Sequence, residues 1–242
     1  MSESEPTKEP KATVAICVPT GDMVHMDFVM HLYALINYSK SENFNVVLIN
    51  EKTSHIDIGR YNLVKAAQSV YADYVLFLDS DMTFPFKTLQ RLYSHGKMIV
   101  GSSYISRRSP HRFVHTDLDD SCSPFKYGLA ALGDGAAGIR EVKRIPSGVM
   151  LVNMKVFNAM AQPWFNSRWN PVKEQRISED NAFCDDAREQ GYEIWLDEYL
   201  TGEVGHIGQT VYAPEPCMDG IKTMTIDLNP DLPEPMPEDI AA

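Results

Sequence analysis

Short, nearly all-apolar runs alternate with stretches of helical spacing through the first half of the chain. Thr13 to Val18 is such a run and closes on Pro19, Thr20 and Gly21, as a strand buried on both faces does when it ends in a loop. From Met26 to Ser39 the apolar residues Phe28, Val29, Leu32, Leu35 and Ile36 recur at helical spacing, and a second buried strand is predicted over Phe44 to Ile49. Leu63, Ala66, Ala67 and Val70 share one face of a helix predicted over Gly59 to Tyr71. The next apolar run, Tyr74 to Leu78, breaks into the paired acids Asp79 and Asp81. A helix started by Pro85 and reaching about Ser94 precedes a further apolar strand, Met98 to Ile105. Strands alternating with helices in this way predict an α/β domain with a mostly parallel sheet covered on both faces.

The second half is less regular. Residues 106–140 hold prolines, glycines and many polar positions and read as a long functional or variable loop. Order returns with Val142 to Ile145, the turn Pro146-Ser147-Gly148, a strand from Val149 to Asn153 and a short helix from Lys155 to Met160. Trp164 to Arg176 is an aromatic and basic connector. Ser178 to Gln190 reads as a helix with Ser at its start and Gly191 at its end, and a last strand, Glu193 to Leu196, precedes Gly202 to Gly208. There is no internal repeat.

Composition narrows the class. With 242 residues, 44% of them hydrophobic and 10% aromatic, the chain can bury a sizeable core. Its apolar runs are too short to span a bilayer, and the acidic, proline-punctuated start is unlike a signal peptide, so we expect a soluble cytoplasmic protein without a membrane anchor. The four cysteines are scattered with no Cys-x-x-Cys pair, which fits reduced thiols better than disulfides or a zinc site.

The net charge of -11 argues against holding a polyanion on a broad basic surface. That charge is unevenly spread. Residues 223–242 carry five acids, four prolines and no Lys or Arg, while 12–222 hold 25 acids against 20 bases. The organisation expected is a disordered segment 1–11, one domain over 12–210 and an acidic, Pro-rich tail over 211–242.

The sharpest chemical feature is Asp79-Ser80-Asp81, where a buried strand runs into a loop. In an extended backbone, residues two apart point to the same side, so both carboxylates would face one ligand at the carboxyl edge of the sheet, where open α/β sheets bind ligands. Two hard oxygen donors suit Mg²⁺ or Mn²⁺. A polar turn at a strand end uses the same residues for backbone reasons.

These motifs resemble the nucleotide-sugar glycosyltransferases of the GT-A fold, especially the family-2-like group. The resemblance spans roughly residues 12 to 210. It is carried by Val14 to Thr20 as first strand, Gly59-Arg60-Tyr61-Asn62 opening a helix, Tyr74 to Asp81 as the D-x-D motif, Ser178-Glu179-Asp180 before a helix, and Val204-Gly205-His206 after the last strand. It implies a GT-A, Rossmann-like single domain that binds a nucleotide-sugar donor through Mn²⁺ or Mg²⁺. Asp81 would ligate the metal directly, Asp79 would contact the ribose or a metal-bound water, and His206 would be a further ligand.

The same resemblance places Pro19 and Thr20 beside the base and ribose, Ser80 within the motif, and Arg60 and Asn62 at the nucleotide. A solvated ion pair is the plainer role for Arg60. In inverting relatives an acid of the Glu179-Asp180 pair deprotonates the acceptor, and Asp180 is the candidate base, although acids in a first helical turn are also favoured by the helix dipole alone.

Gly148 is a place for backbone to approach the sugar or a plain tight turn. Arg107, Arg108, His111 and Arg112 form a basic cluster, suited to a diphosphate or to solvent. Trp164, Phe165 and Trp169 are a stacking wall for a sugar or base, core, or a lid.

The function expected is therefore a metal-dependent glycosyltransferase, with a UDP-sugar favoured as donor. The acceptor is open between polysaccharide, protein, small molecule and a modified DNA base. A nucleotidyltransferase acting on a sugar phosphate is disfavoured, because the first strand lacks a Gly-rich basic loop. A catalytically silent sugar-binding module is the other alternative.

Overall fold

The computed structural model describes residues 10–107, 111–123 and 138–208, together with the paired segments 211–212 and 223–224. Most of the expected terminal segments, part of the 106–140 loop, Arg108 and Cys217 lie outside the described residues. The chain divides into two units, Met1–Ile207 and Gly208–Ala242.

In the first unit the order is β1 (Thr13–Thr20), α1 (Met26–Ser41), β2 (Asn45–Lys52), α2 (Ile56–Ser69), β3 (Tyr74–Leu78), β4 (Met82–Thr83), α3 (Thr88–Ser94) and β5 (Ile99–Gly101). There follow β6 (Ile139–Val142), β7 (Val149–Asn153), α4 (Met154–Ala159), β8 (Arg168–Asn170), β9 (Gln175–Ile177), α5 (Glu179–Glu189), β10 (Ile194–Asp197), α6 (Glu198–Glu203) and β11 (Gly205–His206). In the second unit β12 (Val211–Tyr212) pairs antiparallel with β13 (Thr223–Met224).

Seven strands form the central sheet in the order β2-β1-β3-β7-β5-β10-β6. Five run the same way, while β7 and β6 run against them. The domain is thus a mostly parallel, Rossmann-like α/β sheet, the fold that the GT-A resemblance implies. The direction of β7 leaves no signature, since a strand buried on both faces is an apolar run whichever way it points, and the edge strand β6 is too short and polar to be read at all.

Alternation along the strands builds two cores. Ala15, Cys17, Val75 and Phe77 face Leu63, Ala67, Phe157 and Phe183 on α2, α4 and α5. Val14, Ile16, Leu76 and Leu78 face Phe28, Leu35, Leu89, Leu92 and Leu200 on α1, α3 and α6. Trp164 and Phe165 pack into the first core, where the Trp164 indole N–H reaches the Phe157 carbonyl at 2.9 Å, while Trp169 is exposed. Two of the three aromatic candidates for a stacking wall are therefore core. Cys17 and Cys184 are buried free thiols, and burial raises the pKa of each.

Several boundaries moved for physical reasons. The helix expected from Gly59 starts at Ile56, so Gly59 lies inside it, at a place where a Cβ would come within 2.6 Å of Thr53 Cγ2. The strand expected over Met98 to Ile105 stops at Gly101, since the Ser103 N–H is taken by the Thr201 hydroxyl at 3.0 Å rather than by a ladder partner. The strand expected over Val142 to Ile145 lies instead at Ile139–Val142, paired with β10. Gly191, with φ +86°, ends α5 as its sequence predicts.

One anchor matters for the site. Asp197, fully buried at the end of β10, accepts the Leu200 N–H at 2.9 Å as the N-cap of α6. It is also gripped by the Arg91 guanidinium at 2.6 and 2.9 Å and by His95 at 2.8 Å. α6 therefore leaves the sheet in a fixed direction and delivers Val204 to His206. Among the described residues no helix is long and apolar enough to cross a membrane.

Candidate functional site

The D-x-D acids sit where β3 ends, but not on extended backbone. β3 stops at Leu78, and Asp79 to Met82 form a turn closed by the Met82 N–H bonding the Asp79 carbonyl at 3.1 Å. The extended backbone expected there is thus replaced by a turn, which gives the two carboxylates different partners while both still line one cleft. Asp79 receives Arg60 Nη2 at 2.9 and 3.2 Å. Asp81 Oδ2 lies 3.0 Å from Arg107 Nη1 and 3.5 Å from His206 Nε2.

His206 reaches this place through a two-residue pairing. β11 runs antiparallel to β4, with His206 opposite Met82 and Gly205 opposite Thr83, and the Ile207 N–H bonds the Asp81 carbonyl at 2.7 Å. A Cβ on Gly205 would come within 2.4 Å of Thr83 Oγ1, so glycine is what permits the approach. His206 Nδ1 lies 2.9 Å from the Ile105 carbonyl oxygen. A carbonyl only accepts, so Nδ1 carries the proton and, in the neutral ring, Nε2 turns its lone pair toward Asp81. In the doubly protonated ring Nε2–H instead donates to Asp81: burial opposes ionisation of Asp81, but that hydrogen bond together with the His206 and Arg107 charges prevails and holds its carboxyl below the ordinary range.

Arg60 is built in rather than solvated: it is 3% exposed, and its Nε donates to Glu179 Oε1 at 3.2 Å. It thereby ties the start of α5 to the end of β3. Burial alone would disfavour its charge, and the Asp79 and Glu179 carboxylates overcome that and raise its pKa. Burial raises the pKa of Asp79 and of Glu179, with Arg60 opposing in both cases. Arg60 Nη1 is buried with no hydrogen-bond partner in the protein.

The remaining candidates divide. Pro19, Thr20, Asp79, Ser80 and Asp81 line one cleft of about 210 Å³ with Gly21, Thr53 and Ile56. Larger cavities of about 500, 620 and 420 Å³ lie at the far sheet edge beside Asp117 and Trp195, between α3 and α6, and beside Lys11, Asp73 and Asn153, away from these acids. Asn62 donates to Glu51 Oε1 at 2.8 Å, at the end of β2 where Glu51 lies opposite Pro19. Asp180, in the first turn of α5, accepts the Ser178 hydroxyl and, at 2.8 Å, the Asn181 N–H. Ser178 thus stands at the N-cap position without capping through its side chain. His111 Nδ1 contacts the Ser106 carbonyl at 2.9 Å, so Arg107 alone of the described basic cluster meets a D-x-D acid.

Tyr104 was not singled out by sequence, since a tyrosine after an apolar strand carries no signal. Its ring lies edge-on to His206, centroids 4.8 Å apart. Its phenol pKa is raised well above the usual value by burial and then by the Asp79 and Asp180 charges, so it is a neutral donor at physiological pH. A Cβ on Gly148 would sit 2.7 Å from Tyr104 Cε1 and 3.0 Å from its hydroxyl oxygen. Gly148→Ala is therefore expected to cost about 1–3 kcal/mol by overpacking. A thermal melt checks this, and an unchanged midpoint would show that the Tyr104 ring has room to retreat.

No protein-family model and no curated protein matches the chain. Among solved structures it is similar to the crystal structure of A197 from STIV, with a TM-score of 0.51 and 13% identity over 84% of this chain and 90% of that one. At that identity the likeness is one of fold.

Proposed function

We propose that the protein is a metal-dependent glycosyltransferase that moves a sugar from a nucleotide-diphosphate sugar, a UDP-sugar favoured, to an acceptor hydroxyl. The observation that carries this reading is the meeting of Asp81 and His206 across the β4–β11 pairing, at the carboxyl edge of the sheet and beside the Pro19–Thr20 cleft.

The donor set fits Mn²⁺ or Mg²⁺ in part. Among the described residues no group of three or more His, Cys, Asp and Glu converges on one point. Asp79 is committed to Arg60. Asp81 and His206 remain: one hard carboxylate and one imidazole whose free nitrogen faces it, the proton on the other being fixed by a backbone carbonyl. Two such acceptors 3.5 Å apart call for a positive charge, and a cation held by two protein ligands leaves positions for diphosphate oxygens. When bound, the cation supplies Lewis-acid stabilisation of the leaving diphosphate.

The chain's own groups do the positioning. Pro19 and Thr20 border the base and ribose, and Arg60 holds Asp79 and Glu179 rather than a phosphate. Tyr104 offers a neutral hydroxyl to a substrate oxygen. Asp180, at the N-terminus of α5, is the group assigned to take the acceptor proton, while Glu179, paired to Arg60, is a positioning residue.

Isothermal titration with UDP and GDP, with and without Mn²⁺, tests the reading. Binding of one of them only in the presence of Mn²⁺ is expected. Equal binding in both conditions, or none, would sink it, and metal-dependent binding without donor hydrolysis would favour a silent sugar-binding module.

A further inference from the structure

Two arginines approach the D-x-D turn, and they differ in kind. Arg60 is 3% exposed and shared between two carboxylates, whereas the Arg107 side chain is 52% exposed and its ion-pair partner is Asp81 Oδ2, at 3.0 Å. That is the same oxygen that faces His206 Nε2 at 3.5 Å. The guanidinium therefore supplies positive charge where, on the reading above, the divalent cation would bind. Its other contact is Nη1 to the Ile207 carbonyl at 3.3 Å, on the residue whose own N–H bonds the Asp81 carbonyl.

We propose that Arg107 is the counter-ion of Asp81 in the ligand-free protein, yields that oxygen to the divalent cation, and then becomes a ligand of the donor's diphosphate. This rests on the assignment of Asp81 and His206 as cation ligands. An exposed ion pair holds its geometry weakly, so the exchange is cheap. Once two positive charges occupy the Asp81 oxygen, the guanidinium beside it is repelled and gains by meeting an anion. A diphosphate arriving at the same cation provides one, and the planar fork of an arginine matches phosphate oxygens. Arg107 thereby couples the two ligands: it competes with the metal alone and favours the metal with nucleotide.

The signature is a pair of effects of opposite sign, which loss of packing would not produce. In Arg107→Ala, titration with Mn²⁺ alone is expected to show about two- to fivefold tighter binding, the strength of an exposed pair. Titration of UDP into protein saturated with Mn²⁺ is expected to show about tenfold or more weaker binding, as a charge-assisted hydrogen bond is lost. Arg107→Lys keeps the charge, so its Mn²⁺ affinity should match wild type while UDP affinity is only partly restored. Unchanged or weaker Mn²⁺ binding in Arg107→Ala overturns the counter-ion role, and unchanged UDP affinity overturns the diphosphate role. Wild-type protein that takes up neither UDP nor GDP with Mn²⁺ overturns the glycosyltransferase reading itself, and the proposal with it.

Discussion

Replacing Arg60 with methionine is expected to destabilise the protein by about 3–5 kcal/mol, because removing one partner of a buried ion pair strands the other. Here two carboxylates are stranded, Asp79 and Glu179, and the guanidinium between them is 3% exposed. For a domain of this size that is a fall in melting temperature on the order of 10 °C. The loss should depend on pH in a definite sense. Asp79 and Glu179 already have raised pKa values, by burial first, and Arg60 is the influence that lowers both. Without it they rise further. A carboxyl whose folded pKa is raised contributes stability that is present at low pH and lost as pH rises through the folded value. The variant's deficit should therefore be larger at pH 8 than at pH 5. Adding Asp79→Asn and Glu179→Gln to Arg60→Met should recover part of the stability, since neutral groups tolerate burial better than lone charges. Equal deficits at both pH values would mean that Arg60 acts through packing on Phe77, whose ring lies 5.7 Å from the guanidinium carbon, and not through charge.

This arginine shows where sequence reading stops. Gly59-Arg60-Tyr61-Asn62 marks a helix near a nucleotide site by resemblance, and α2 is indeed a helix. Whether Arg60 faces solvent, a phosphate or a carboxylate depends on Glu179, 119 positions away, and no local pattern carries that distance. The strands and helices were legible because burial on two faces and helical spacing are local properties, as β1, α1 and β3 show. The β4–β11 pairing was not: two residues on each side leave no periodicity to read, and the glycine that allows it is one of 14. The D-x-D acids were legible as residues but not as geometry. Strand alternation applies only while the strand lasts, and the turn at Asp79–Met82 ends it. His206 was found through its place after the last strand, whereas Tyr104, packed against it, had no comparable mark.

Asp81→Asn should give the opposite profile to Arg60→Met: a stable protein that no longer couples metal to nucleotide. Asp81 is 25% exposed and its charged partner, Arg107, is half-exposed, with His206, 14% exposed, at the longer distance of 3.5 Å, so neutralising it should change stability by no more than about 1 kcal/mol. The backbone bond from Ile207 to the Asp81 carbonyl is untouched, and asparagine keeps the shape of the side chain. What is lost is the hard anionic oxygen facing His206 Nε2. Outer-shell changes at metal sites cost about 10–100-fold in affinity, so removal of a direct ligand should weaken Mn²⁺-dependent UDP binding by about 100-fold or more. Turnover should fall by a factor on the order of 10³, since a Lewis-acid contribution is several kcal/mol. Asp79→Asn is the informative contrast. Its carboxylate serves Arg60, so it should lower the melting temperature more than Asp81→Asn does while sparing more of the metal affinity. If Asp79→Asn instead abolishes Mn²⁺ binding and Asp81→Asn leaves it intact, the roles of the two acids are exchanged. The turn would then have to reopen on ligand binding, releasing Asp79 from Arg60.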